Sequence, residues 1–208
     1  MGGRAGASLG PASPPAPAGR TVAPMTDTTS TTTTALPLVA GRWALDAAHS
    51  QVGFAVRHLG VSKVRGRFGE VDAELVVGET VDDTVVTATV AMASIDTGNA
   101  ERDAHVLSPE LLDVERRPTM TFRSRGVRGA GTSWALDGEL TIGDVIRPLS
   151  LGVELGGVEP FFDGTRHAGF EATGELRRRD FGLGFGALGA MLGDVVKIEL
   201  DLQFVEPA

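Results

Sequence analysis

Residues 194–204, DVVKIELDLQF, alternate without a slip: Val196, Ile198, Leu200 and Leu202 fall on one side of an extended chain, Lys197, Glu199 and Asp201 on the other. Side chains of a β-strand point to opposite faces in turn, so this run reads as a strand with one apolar face and one wet face. The same rhythm recurs upstream. It appears in Val52, Phe54 and Val56; in Val71, Ala73 and Leu75; in Val86, Ala88, Val90 and Met92; and in Met120 and Phe122. It continues in Trp134, Leu136 and Leu140; in Leu149, Leu151, Val153 and Leu155; and in Phe170, Ala172 and Leu176. With the brief WALD run at 43–46, about nine strands are counted.

Turn chemistry separates these runs: Asp82-Asp83, RGAGT at 128–132, Gly156-Gly157 and Asp163-Gly164. Connections this short favour antiparallel neighbours. So many strands with one apolar face each either sandwich or close into a barrel, and closure removes exposed edges. A barrel of about eight strands with apolar faces turned inward has room for one slim ligand. A filled interior and a hollow one both fit the pattern. One stretch interrupts the strands: Asn99 can cap a turn through AERDAH, and Ser108-Pro109-Glu110 offers a second N-cap with proline at the first helical position. A short helical insertion of two capped turns is expected near residues 100–114.

At 208 residues the chain suits one domain with a core of its own. Residues 1–37 hold few large apolar side chains and much Gly, Pro, Ser and Thr, so a disordered low-complexity tail is assigned to 1–40 and the barrel domain to 41–206. The tail breaks every candidate signal-peptide core with Pro, Gly or Thr, and a cytoplasmic location is the expectation. Met25 opens a plausible alternative start. No run of about 18 apolar residues is present, so a membrane-spanning helix is not expected. The net charge of −8 argues against nucleic acid. With no cysteine, disulfides, thiolate catalysis and thiolate metal sites are excluded.

The four histidines, His49, His58, His105 and His167, have no metal-ligand spacing, so neither metal nor cofactor is expected. There is no G-x-S-x-G and no G-x-G-x-x-G opening a helix. An enzyme would need a site assembled by the fold, with His49, Asp103 and His105 as the candidates. They would have to converge within hydrogen-bond reach of one another.

Gly41-Arg42-Trp43 is similar to the G-x-W of lipocalins, a weak sign by itself. Four longer stretches are more specific: WALDAAHSQVGFAVRHLGVSKVRGRF (43–68), SIDTGNAERDAHVLSPELLDVERRPTMTF (94–122), GELTIGDVIRPLSLGVEL (138–155) and GFEATGELRRRDFGLGF (169–185). In this order and spacing the chain resembles the YceI family. The resemblance implies an all-β fold, an extended antiparallel lipocalin-like β-barrel whose elongated apolar cavity holds a polyisoprenoid or similar lipid. Carried over by position, Asp46, His49, Ser50, Arg57, His58 and Gly66–Phe68 match the opening motif. Asp96, Thr97, Arg102, Asp103, His105 and Asp113 match the long-loop motif, Arg147-Pro148 the seventh-strand motif, and Arg179–Gly182 the late one. The chain departs from the family where Phe185 stands for a usual tryptophan and Leu111-Leu112 for a commonly aromatic pair.

On this reading Phe54, Val56, Phe68, Met120, Phe122, Trp134, Leu151, Phe170 and Phe185 are the lipid-contacting residues. His58, Arg147 and Asp180 are candidates for the head group or mouth, and Asp103, His105 and Asp113 for a lid. The implied function is non-enzymatic binding, transport or sequestration of a polyisoprenoid, an isoprenoid quinone or a polyprenyl phosphate. The alternatives are the fold-assembled enzyme and a filled-core stress or interaction protein; a homodimer is left open.

Overall fold

Eleven strands among the described residues join in one antiparallel sheet. They are β1 (Gly41–Leu45), β2 (Gln51–His58), β3 (Ser62–Phe68), β4 (Val71–Val77), β5 (Val85–Ala91) and β6 (Ile95–Asp96), then β7 (Thr119–Ala130), β8 (Ser133–Ile142), β9 (Val145–Pro160), β10 (Arg166–Arg177) and β11 (Leu192–Val205). The computed structural model describes residues 1–3 and 36–207. Met25 and most of the expected tail lie outside them. Leu36 and Leu38, assigned from sequence to the tail, pack against the barrel core.

The first six strands are three broken staves. β1 and β2 lie end to end along the same neighbours: β4 pairs β1 and β3 pairs β2, while β5 pairs β4 and β6 pairs β3. From β7 to β11 each strand pairs the next. β11 then closes the ring onto β2 through Ile198 opposite Phe54, and onto β1 through Phe204 opposite Leu45. The result is a closed barrel of eight staves in sequence order, in which closure satisfies the backbone groups that an open sheet would leave at its edges.

The β1–β2 break shows how the ladder survives an interruption. Asp46 accepts from the Ala48 N–H at 3.1 Å and faces His49 Nδ1 at 2.8 Å, turning the chain. Where the backbone partner is lost, Ser50 Oγ accepts from the Gln203 N–H at 2.9 Å.

One end of the barrel is plugged. Trp43, fully buried, packs with Leu75, Val77, Leu155, Ala168 and Phe204, and its indole N–H donates to the Val39 carbonyl at 3.0 Å. The first-strand tryptophan is thus a stopper. The opposite end carries the helix α1 (Ala100–Leu107), capped as expected by the Asn99 side chain accepting from the Arg102 N–H at 2.8 Å. The second helical turn expected at Ser108-Pro109-Glu110 does not form a helix. Ser108 instead ends α1, its carbonyl accepts from both Leu111 and Asp113, and Asp113 takes φ +50°. This tight reversal buries Leu111 and Leu112 against the barrel end, and burying two leucines outweighs a local capping preference.

Candidate ligand cavity

The inward faces of the staves enclose a cavity of about 520 Å³. Its walls follow from strand phase. Val196, Ile198, Leu200 and Leu202 of β11 all line it, and they are only half-buried because they face the lumen rather than a packed core. Phe54, Val56, Phe68, Met120, Phe122, Trp134, Leu151, Phe170 and Phe185 all contribute to the lining. Phe54 and Phe68 meet across the hairpin with centroids 5.6 Å apart. Glycine on a neighbouring strand makes room for such rings: a Cβ on Gly66 would strike the Phe54 ring, and one on Gly138 the Phe122 ring.

Polar side chains in the lining are few: His58, Thr84, Thr97, Arg102, His105 and Arg178. All but Thr84 belong to the end opposite the Trp43 plug, where α1, the β2–β3 and β8–β9 hairpins and the 178–192 segment converge. Leu192 pairs His58 there, and the Leu59 N–H donates to the Met191 carbonyl at 2.7 Å. The lining residues that are also well exposed to solvent, Arg102, His105 and Met191, all lie at this end. The cavity therefore meets water here, and this end is its mouth.

The lid candidates divide. His105 lines the mouth and faces Glu110 Oε2 at 3.4 Å. Asp103 is not in the lining; it accepts from the Thr97 N–H at 3.0 Å and from the Thr97 hydroxyl. Arg102 completes this clasp by donating to the Thr97 hydroxyl at 2.6 Å and carbonyl at 2.7 Å, which ties α1 to the strand end before it. Asp113 forms the reversal after α1 and lies outside the lining.

Of the three head-group candidates, only His58 lines the cavity. Arg147 shares the inward phase of Leu149 and Leu151 but stands exposed at the β8–β9 rim, its Nη1 on the Ile146 carbonyl at 2.8 Å. Asp180 is exposed as well, because the helical turn 178–181 directs Arg178 and Phe181 inward and Arg179 and Asp180 outward.

The polar residue that sequence reading missed is Arg178. It is buried, lines the cavity, and has no carboxylate hydrogen-bond partner among the described residues. Its guanidinium donates to the backbone carbonyls of Gly193, Leu183, Gly184, Gly189 and Leu192. Burial, with the Arg179 cation beside it, draws its pKa below the ordinary arginine value. The signal was present in strand phase: Phe170, Ala172 and Leu176 point inward on β10, and two residues further along that phase is Arg178, not the motif-matched Arg179.

His49, Asp103 and His105 do not form a common site; each meets a different partner, Asp46, Thr97 and Glu110. Among the described residues no cluster of three or more His, Asp or Glu side chains could hold a metal ion.

Residues 43–204 match the model of the YceI-like domain. A UPF0312 protein of Photorhabdus laumondii is 35% identical over 134 residues, covering 64% of this chain and 70% of that protein. The barrel is also similar to the crystal structure of a Campylobacter jejuni YceI protein, with TM-score 0.66 and 28% identity over 79% of this chain and 97% of the other. A third likeness, in fold alone, is to a polyisoprenoid-binding domain from Saccharophagus degradans implicated in plant cell wall breakdown. Its TM-score is 0.63, with 14% identity, covering 79% of this chain and 98% of that domain.

Proposed function

Because the chain belongs to the YceI-like family, we propose that it binds a long apolar lipid chain of the polyisoprenoid class inside its barrel and carries or sequesters it without chemical change. The observation that carries this reading is the cavity of about 520 Å³ with an almost wholly apolar lining, plugged at one end and, Thr84 apart, polar only toward the other. A volume of that order is typical of small-molecule sites. Along β11 the lining runs from Leu192 to Phe204, which at about 3.3 Å per residue and a typical barrel tilt gives a lumen of roughly 30 Å.

Each CH₂ moved from water into such a lining gains about 0.8 kcal/mol, so ten carbons gain roughly 8 kcal/mol before ordering costs are subtracted. The lumen offers nothing to pay for burying a charge at its depth, so a polar head belongs at the mouth, near His58, Arg102 and His105. A prenyl phosphate and a quinone ring both satisfy that division. The fold likeness to a polyisoprenoid-binding domain agrees with this reading.

Native mass spectrometry of the gently purified protein, followed by organic extraction, tests it. The expected result is a co-purified chain lipid, or uptake of an added polyprenol at one per barrel. Repeated recovery of protein that takes up no polyprenyl compound would overturn the reading.

A further inference from the structure

A cavity that takes lipid from a bilayer has to meet that bilayer with its mouth. The β2–β3 hairpin borders the mouth and ends in two apolar side chains held in water, Leu59 at 59% and Val61 at 81% exposure. Met191, hydrogen-bonded to Leu59 through the backbone, adds a third and also lines the cavity. The turn is made by two consecutive residues in the left-handed region, Leu59 at φ +52° and Gly60 at φ +73°. Asn or Gly ordinarily fills such positions, and leucine holds the first of them here at a conformational cost that no internal contact of an exposed side chain repays.

The charge along the hairpin itself is of one sign. From Arg57 to Arg67 the chain has four cations, Arg57, Lys63, Arg65 and Arg67, and no carboxylate, in a protein of net charge −8. Arg67 is held by Asp96. Arg57, Lys63 and Arg65 are exposed, and the pairing of Arg57 with Lys63 and of Ala55 with Arg65 sets the three on the outer face of the hairpin. Among the described residues the far side of β3 is paired only through Arg67 and Phe68, so the backbone edge of its tip half has no strand partner there. Cations alone are a common guard for a free strand edge. Exposed leucine and valine at the tip defeat that purpose, whereas apolar tips inside a cationic collar suit the interface of an anionic bilayer. The exposed apolar pair Phe161 and Phe162 sits at the plugged end between Glu159 and Asp163, which such a surface repels.

We propose that the β2–β3 hairpin docks the cavity mouth onto an anionic lipid bilayer, with Leu59, Val61 and Met191 entering the interface and Arg57, Lys63 and Arg65 facing the lipid phosphates. This rests on the lipid-carrying reading above for its purpose, but not for its test.

The test uses the full chain with vesicles of phosphatidylcholine, with and without phosphatidylglycerol, preloaded with a polyprenol. Two double variants are compared with the wild type: Leu59→Asn with Val61→Ser, the asparagine suiting the left-handed turn, and Lys63→Glu with Arg65→Glu. Co-sedimentation with phosphatidylglycerol vesicles is expected for the wild type, weakened in high salt and on plain phosphatidylcholine, with a loss of roughly fivefold per cation removed. Uptake of polyprenol from those vesicles is expected to fall at least tenfold in both variants, while uptake from dilute solution stays at the wild-type level. If the wild type does not sediment with anionic vesicles, or if both variants sediment and extract as it does, the docking surface is overturned. If the wild type takes up polyprenol from neither source yet sediments through this hairpin, the carrier reading fails and the docking surface stands.

Discussion

The guanidinium of Arg178 lies over the ring of Phe185, 4.9 Å from its centroid, while its N–H groups reach carbonyls at both ends of the segment from Leu183 to Gly193. One buried cation thereby gathers a glycine-rich stretch that joins the barrel ladder only at Leu192, and Phe185 beneath it takes φ +60° to complete the wall. Arg178 organises the 183–193 segment rather than offering a free donor to a ligand, since its carbonyl contacts occupy the fork.

Arg178→Met is accordingly expected to destabilise the fold by at least about 3 kcal/mol, because several buried carbonyls lose their donor at once. Arg178→Lys keeps the charge but not the planar fork, and should fall between the two. Denaturant unfolding measures the loss. Hydrogen exchange should localise it to residues 183–193; unchanged protection there would refute the pinning role.

Gly138 lies against Phe122 and the chain beside it, where an added Cβ would come within 2.6 Å of the Arg123 carbonyl and closer still to the Phe122 ring. Gly138→Ala is expected to cost about 1–3 kcal/mol and to push the Phe122 ring into the lumen. Thermal unfolding and polyprenol titration should therefore both worsen. A variant of native stability and affinity would show that the wall yields more easily than its packing implies.

Ala88 faces the lumen from the middle of β5. Replacing it with Trp puts bulk into empty space, so the folded state should persist while chain uptake falls at least tenfold. Ala88→Ser, nearly equal in size, is the control for volume. Equal uptake by the tryptophan variant would place the ligand elsewhere.

Asp46, at the β1–β2 break, is held below the ordinary 3.8 chiefly by its hydrogen bond with His49, helped by the Ala48 N–H, against an opposing desolvation effect. A carboxyl with a depressed folded pKa contributes stability above its unfolded value and loses it as pH falls through the folded value. The window is thus below about pH 4. Asp46→Asn should lower the melting temperature at neutral pH, with the wild-type and variant curves converging as the solution is acidified toward about pH 2. Parallel curves across that range would detach the carboxylate's ionisation from stability.

Period-two patterning made the strands legible, and with them the side of each strand that lines the cavity. Phe54, Met120, Phe122 and Leu151 face the lumen because strand phase is local and strict. Asn99 was legible for the same reason, a cap being settled within one turn of chain. Residues beyond the ends of strands were less so. The phase of β9 aims Arg147 inward, yet the barrel wall ends before its side chain does, and Asp180 follows the geometry of a helical turn that no alternation foretells.

By itself, then, the sequence determined that the chain is all-β, which face of each strand is apolar, and where α1 begins, because each of these depends on neighbours a few residues away. Tertiary structure alone decided that three staves are broken, that Trp43 stops one end, that Ser108 ends a helix instead of starting one, and that Arg178 is the buried cation at the mouth. Those outcomes depend on ring closure, which brings β11 against β1 and β2 across some 150 residues of chain. The alternation that builds each strand is blind to contacts at that separation.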